Sequence, residues 1–517
     1  MKTEIFSVNE LEAAARIIRR GGIVAMPTET VYGLAADALN PESVRSIYSA
    51  KGRESDNPLI VHISDISMWK PLVREITEQA MALAKAFWPG PLTIILPKSA
   101  AVNDVVSGGL DTVAVRMPSH PAAKRFIELC GCPIAAPSAN LSGAPSPTTF
   151  EAVKKDMLGR ADGIIDGGDC GFGVESTVIS LAQGKPRLLR PGAVTPDMLR
   201  EVLGEIEIDE GVTHEVDISR HVASPGMKYK HYSPKAKVYI VNAKKDRYTE
   251  FVNLKRGENA VAMCYSSWAE GIKSMPCIPF GEQGDSASQA AVLFEDLRKC
   301  DKLGADFVYA PMPSADGVGL AVLNRLLRAA AFKVLELSSD SFEVIGVTGP
   351  TGTGKSTVCK SYLGGDSLVI DCDKIAHEVL ELPEILNGIT DLFGAECVRD
   401  GRADRRAIGD KVFSDSEKLH ALNSLTHPTI CRAVEETVAA AKKAGYSRVV
   451  LDAPTLIESG LYRICDRVIY VRASLENRLD RIIKRDSLTD RQARERVLSS
   501  EPDEFYLKYA DEVIDND

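Results

Sequence analysis

GPTGTGKST, residues Gly349 to Thr357, reads as a GxxxxGKS phosphate loop. The apolar run Phe342 to Val347 before it predicts a strand, and Val358 to Leu363 after it continues as a helix, which is the context such a loop requires. Its glycines let backbone N–H groups turn toward a polyphosphate. Lys355 reaches the β- and γ-phosphates, and the Ser356 hydroxyl is placed to ligate Mg²⁺. Thr351, Gly352, Thr353, Gly354 and Thr357 complete the cradle. The strand and helix flanks speak against a Gly/Thr-rich turn with an accidental lysine. The last third of the chain therefore binds ATP or a similar triphosphate on a P-loop domain with a parallel sheet.

Outward from the loop, Leu368 to Ile370 is a buried-type strand ending in Asp371-Cys372-Asp373, and Val449 to Leu451 ends in Asp452. Open α/β sheets place their ligands at these strand ends. A carboxylate after an apolar strand suits the neighbourhood of Mg²⁺, so Asp452 joins Ser356 as a candidate metal contact. For Asp371 and Asp373 the spacing fits solvated loop residues equally well. Arg478, Arg481 and Arg485 recur at i, i+3 and i+7 on one helix face and read as a phosphate clamp rather than a solvated stripe.

The 517 residues amount to about three domains of roughly 150 residues each. A net charge of −10 excludes a surface that generally coats nucleic acid; a polynucleotide partner would have to be met locally. The 11 cysteines include no CxxC pair and read as reduced thiols. The N-terminus is acidic without an apolar core segment, and no stretch reaches the roughly 18 apolar residues of a membrane span. A cytoplasmic protein without a membrane partner is expected.

In the first 205 residues, polar clusters recur at strand ends. Strand Ile23 to Met26 empties into PTETVYGLA, where Thr28, Glu29, Thr30 and Tyr32 crowd together; a Pro-initiated turn explains this as well as a binding edge does. A helix opened by Asn40-Pro41 ends in KGR, with Lys51 and Arg53 straddling a glycine before the strand Leu59 to Ile63. These cations suit an anion's approach, or are simply solvated. Strands Thr93 to Leu96, Val113 to Arg116 and Ile134 to Ala136 follow, the last leading into PSANLSGAPSPT. The pattern suggests a concave site for a polar, anionic ligand.

PTETVYGLA, KGR with DNPLIVHI, FWPGPLT, VAVRMPSHP, PIAAPSANLSG, GVESTV and LLRPGAVT resemble, in this order and spacing, the threonylcarbamoyl-AMP synthases of the YrdC family over residues 3 to about 205. The resemblance implies a YrdC-like twisted α/β sheet whose concave face converts threonine, bicarbonate and ATP to threonylcarbamoyl-adenylate and pyrophosphate, for tRNA modification with partner proteins of that pathway. Position by position it implies a tetrad of Lys51, Arg53, Ser138 and Asn140 around the nucleotide, with Lys51 and Arg53 catalytic. It further implies threonine contacts at Thr30, His62, Arg116, Ser138 and Ser176, and ATP contacts at Asn57, Thr112, Ser146 and Arg190.

Residues 206–235 read as a linker. SPGMKYKHYSP within them, including Ser224, Lys228 and Tyr232, resembles the segment by which two-domain members close over their site; a basic-aromatic strip for RNA is the other reading. Residues 236–340 read as a small Rossmann-like α/β accessory domain, with strands at Val238 to Val241, Ala260 to Met263 and Phe307 to Ala310 and helices at Ala287 to Leu303 and Leu320 to Leu335. Asn324 and Arg325 fall on its signature, ADGVGLAVLNRLLRAA, which carries no evident catalytic set.

Residues 341–517, with VTGPTGTGKST, IDCDKIAHEV, LTHPTI, LDAPTLIESGL, RLDRIIKRD and ADEVIDND, resemble dephospho-coenzyme A kinase. That implies transfer of the ATP γ-phosphoryl group to the ribose 3′-hydroxyl of dephospho-coenzyme A, with Asp373 as general base and Lys355 on the phosphates. Members usually carry a glutamine near Ser500 and a further helix after the position of Asp517, so this part is expected to be the more fragile. A single boundary near 341 should separate two independent activities. The rival reading is an RNA-binding module joined to a nucleoside monophosphate kinase, which acceptor preference and threonine-dependent pyrophosphate release distinguish.

Overall fold

Asn40 caps the helix Pro41–Lys51 by accepting from the N–H groups of Glu42 and Ser43, Pro41 fills its first turn, and Gly52 ends it at φ 61°, a left-handed conformation suited to glycine. Lys51 is thereby fixed at the helix end, with Arg53 just beyond. Similar local signals set most elements of the computed structural model, which describes residues 2–215, 232–337, 342–412, 415–486, 489–498 and 500–517. The expected closing residues Ser224 and Lys228 lie outside the described residues; Tyr232 lies within them. Among the described residues no helix is long and apolar enough to cross a membrane.

Contacts divide the chain into two units, Met1–Asn242 with Asn259–Val334, and Ala243–Glu258 with Leu335–Asp517. In the first unit an 11-stranded mixed sheet runs in the order Glu4–Ser7, Gly163–Asp166, Val24–Met26, Gly33–Asp37, Ile134–Ala135, Ile60–His62, Thr112–Arg116, Leu92–Pro97, Thr177–Ser180, Arg187–Arg190, Glu207–Ile208. Strand alternation sorts neighbours to opposite faces. Val24 and Met26 pack with the helices Leu11–Arg19 and Pro121–Cys130, whereas Ala25 joins the larger cluster with Val44, Ile47 and Leu83. A second, five-stranded sheet carries the accessory fold in the order Cys277–Pro279, Ala260–Cys264, Phe307–Pro311, Lys237–Asn242, Val334–Glu336.

The helix expected over Leu320 to Leu335 is shorter. Gly319–Ala329 is helical and buried at every position, then Ala331 and Phe332 take positive φ angles of 48° and 58° and turn the chain into the strand Val334–Glu336. The residues that follow, Ala330-Ala331-Phe332, include no glycine or proline to mark the stop.

The second unit holds a wholly parallel five-stranded sheet in the order Ser367–Asp371, Arg448–Asp452, Glu343–Thr348, Arg467–Arg472, Glu512–Asp515. The phosphate loop follows the central strand. The expected accessory stretch 236–340 is divided between the units, because Ala243–Glu258 packs with the second. Tyr248, Phe251 and Val252 are fully buried there, the Phe251 and Tyr446 rings stack at 4.6 Å, and the Tyr446 hydroxyl donates to the Phe251 carbonyl. Lys255, 1 % exposed, donates to the Ser367 carbonyl at 2.8 Å and pairs with Glu258 at 3.1 Å. Its ammonium lies 5.1 Å from the centroids of both rings, so the buried charge is compensated on several sides.

Candidate functional site

In the first unit the strand ends converge on one cavity. Thr30 follows Val24–Met26, His62 and Arg116 end adjacent parallel strands in register, Ser138 and Asn140 follow Ile134–Ala135, Ser176 precedes Thr177–Ser180, and Arg190 ends Arg187–Arg190. All of these, with Lys51, Arg53 and Tyr232, line the cavity. Arg116 donates to the Thr30 hydroxyl at 2.8 Å and pairs with Glu29 at 2.7 Å. Arg190 donates to the Ser176 carbonyl at 3.0 Å and to its hydroxyl at 3.1 Å, and that hydroxyl also shares a 2.8 Å hydrogen bond with Thr93.

Lys51 is buried, not a solvated cation. Its ammonium donates to the carbonyls of Ser138 and Asn140, the latter at 2.6 Å, which fixes the PSAN turn against the helix end. Burial, together with the nearby Arg53 charge, pushes Lys51 well below its ordinary value. Arg53 is half-buried and donates to the Pro58 carbonyl at 3.1 Å; burial lowers it to about 10, so it remains cationic at neutral pH. Burial and Arg116 push His62 down to about 3, which makes it a neutral imidazole.

Three expected contacts are not in the cavity wall: Asn57, Thr112 and Ser146. Thr112 begins the strand that ends in Arg116. Asn57 is buried, its carbonyl accepting from Tyr48 at 3.2 Å. Ser146 is fully buried and donates at 2.6 Å to Glu175, a wall residue that the sequence reading passed over. Its only signal was a carboxylate within the otherwise uncharged GVESTV motif.

In the second unit Gly349, Gly352 and Gly354 take φ angles of 143°, 88° and 86°, the left-handed conformations a phosphate loop needs. The Lys355 ammonium donates to the carbonyls of Gly349 at 2.7 Å and Pro350 at 3.2 Å, and burial lowers its pKa despite the nearby Asp452 and Asp373 carboxylates. The Ser356 hydroxyl donates to Asp452 at 3.3 Å. Arg478 donates to the Thr351 carbonyl at 3.0 Å, and Arg481 to those of Gly352 and Thr353 at 3.4 and 3.3 Å, so two of the three aligned arginines hang on the loop itself. Arg485 is exposed further along the same helix, Leu475–Asp486.

Asp371 caps the helix Cys372–Leu380, accepting from the Lys374 N–H at 3.0 Å, and Asp373 sits in its first turn. Burial, reinforced by Asp371, raises Asp373; burial also raises Asp452. Asp373 faces a cavity lined by Leu380, Thr426, His427 and Thr455. Asn516 donates to the Thr353 carbonyl at 2.8 Å, a loop contact absent from the sequence reading. ADEVIDND forms an edge strand that carries this residue to the loop.

Fold and sites define a chain of two nucleotide-dependent transferases, one built on an 11-stranded mixed sheet and one on a P-loop parallel sheet. Family models agree. A Sua5/YciO/YrdC model described as telomere recombination matches residues 16–192, a threonylcarbamoyl-AMP synthase C-terminal domain model matches 194–331, and a dephospho-CoA kinase model matches 343–517. The chain is 45% identical over 338 residues to the threonylcarbamoyl-AMP synthase of Bacillus subtilis, covering 64% of this chain and 97% of that one. The crystal structure of Pyrococcus abyssi Sua5 complexed with L-threonine aligns at 42% identity and a TM-score of 0.61, over 65% of this chain and 99% of that one. Dephospho-CoA kinase of Corynebacterium glutamicum is 38% identical over 174 residues, 33% of this chain and 89% of that one. The chain thus belongs to the threonylcarbamoyl-AMP synthase family in its N-terminal two thirds and to the dephospho-CoA kinase family in its C-terminal third.

Proposed function

We propose that the first unit forms threonylcarbamoyl-adenylate from threonine, bicarbonate and ATP with release of pyrophosphate, and supplies it to partner proteins that modify tRNA in the cytoplasm. The observation that carries this is the convergence of Arg116, Arg190, Arg53 and Lys51 on one cavity, together with hydroxyls, the Asn140 amide, an uncharged His62 imidazole and the single carboxylate of Glu175. Arg116 anchors the threonine carboxylate, with Thr30, His62 and Ser176 around the rest of the amino acid. The threonine amine condenses with bicarbonate to a carbamate with loss of water, a carbamate oxygen attacks the α-phosphorus as the bond to the pyrophosphate oxygen breaks, and Arg53, Lys51 and Arg190 offset the charge gathered there. Tyr232 bounds the same cavity and belongs to the segment expected to close it.

The second unit transfers the γ-phosphoryl group of ATP to the 3′-hydroxyl of dephospho-coenzyme A. Asp373, whose raised pKa makes it a stronger base than a solvated carboxylate, accepts the hydroxyl proton from an acceptor in the adjoining cavity. Lys355, Arg478 and Arg481 hold the phosphates. Ser356 and Asp452 present hard oxygens side by side, a donor set that fits Mg²⁺; these two residues would hold the ion, which would supply neutralisation of the phosphate charge. Two assays on the intact chain test the reading: threonine- and bicarbonate-dependent pyrophosphate release, and ADP formation with dephospho-coenzyme A against nucleoside monophosphates. Equal use of nucleoside monophosphates, or pyrophosphate release independent of threonine, overturns the corresponding half.

A further inference from the structure

Glu175 is out of place electrostatically. It stands in the wall of a cavity whose other charged wall residues, Lys51, Arg53, Arg116 and Arg190, are all basic, with its side chain 8 % exposed, where a polyphosphate would meet a fixed negative charge. An ionised carboxylate beside a polyphosphate repels it, more strongly in a partly buried wall than in water, and so opposes nucleotide binding. The compensating charge comes from the accessory fold. Arg325, on the helix Gly319–Ala329 and 0 % exposed, donates from Nε to the Glu175 carboxylate at 2.8 Å. Burial would raise the Glu175 pKa, but Arg325, Arg190 and Ser146 together hold it below the ordinary range, so it is ionised.

The other Arg325 donors reach backbone on both sides of the cavity wall. They bond the Pro191 carbonyl at 2.7 Å and the Glu175 carbonyl at 3.2 Å. Pro191 and Glu175 are the chain neighbours of Arg190 and Ser176, which face the cavity. Asn324, next along the helix, donates to the Val212 carbonyl at 2.7 Å and accepts from Arg325 at 3.0 Å, so the guanidinium is itself held. The Tyr232 ring centroid lies 6.0 Å from its central carbon.

We infer that Arg325 of the accessory fold is a positioning residue of the synthase site, which neutralises Glu175 and sets Arg190 and Ser176 against each other so that the cavity accepts the polyphosphate of ATP. The inference rests on the synthase reading above. It gives the accessory fold a part in the reaction, though that fold contributes no group to the reacting atoms.

Charge restoration tests it in the full chain, with KM for ATP and for threonine measured separately by pyrophosphate release. Arg325→Gln leaves a bare carboxylate and is expected to raise KM for ATP by at least about tenfold with a much smaller change for threonine. Glu175→Gln added to it removes the carboxylate and is expected to recover most of that loss. Failure of the second substitution to recover ATP affinity, or equal increases for both substrates, overturns the proposal in favour of a packing role. If Arg325→Gln does not fold, Arg325→Lys with and without Glu175→Gln is judged by the same two criteria. Wild-type protein lacking threonine-dependent release would refute the synthase reading instead, so the two failures are distinct.

Discussion

Glu29 and Arg116 form a 2.7 Å ion pair with side chains 10% and 4% exposed, and the same guanidinium donates to Thr30. Removing one partner of a buried pair costs about 3–5 kcal/mol, chiefly because the other charge stays buried alone. Glu29→Gln is expected to lower the unfolding temperature, and saturating threonine to restore more of it than it adds to the wild type, since the ligand carboxylate replaces the missing charge. Thermal unfolding with and without threonine measures this. Equal threonine shifts in both proteins would place the ligand carboxylate elsewhere.

His62, held near 3, gives an acid signature. Below its ordinary value of about 6.5 the unfolded chain takes up a proton that the folded chain refuses, so stability falls by roughly 1.4 kcal/mol per pH unit from there down toward 3. Between pH 6.5 and 5 the wild type should therefore lose about 2 kcal/mol more than His62→Gln. Urea unfolding of both proteins at the two pH values decides it, and parallel losses contradict a buried neutral imidazole.

Lys355→Ala removes a phosphate contact that strengthens in the transition state. A fall in kinase rate of about a hundredfold, near 3 kcal/mol, is expected, with threonine-dependent pyrophosphate release unaffected. Near-normal phosphorylation of dephospho-coenzyme A would mean that the reaction centre lies away from the phosphate loop.

Asp371 adds its charge to the burial that raises Asp373, and also caps the helix carrying it. Asn caps a helix about as well as Asp, so Asp371→Asn removes the charge while keeping the cap. The acid limb of the kinase pH–rate profile is expected to move to lower pH. An unmoved limb would show that the titrating base is not Asp373.

Motifs and strand ends were legible because glycine, proline and capping residues leave local marks: the phosphate loop, the Asn40-Pro41 start and the placing of Arg116 all follow from short windows. What escaped was long-range. Lys51 and Arg53 read alike in sequence, yet one is buried against carbonyls of a turn some 90 residues away and the other half-buried. Glu175 carries no mark of the Arg325 that meets it across 150 residues. The end of the helix Gly319–Ala329 was invisible because Ala330-Ala331-Phe332 after it carries neither glycine nor proline as a local stop mark.

The short piece Ala243–Glu258, embedded in one enzyme's sequence and packed with the other, changes what it means to take this protein apart. One nick between 334 and 342 leaves that piece, with its Lys255 and Phe251, on the wrong fragment; separating the two contact-defined units intact takes breaks at three places, after 242, 258 and 334. A kinase fragment beginning at 335 is therefore expected to unfold at lower denaturant than the same unit in the whole chain, followed by the loss of kinase activity, and a synthetic 243–258 peptide added in trans should recover part of it. By the same logic a gene split at the apparent seam would not yield two self-sufficient pieces. The kinase piece would first have to rebuild the surface that these sixteen residues now cover.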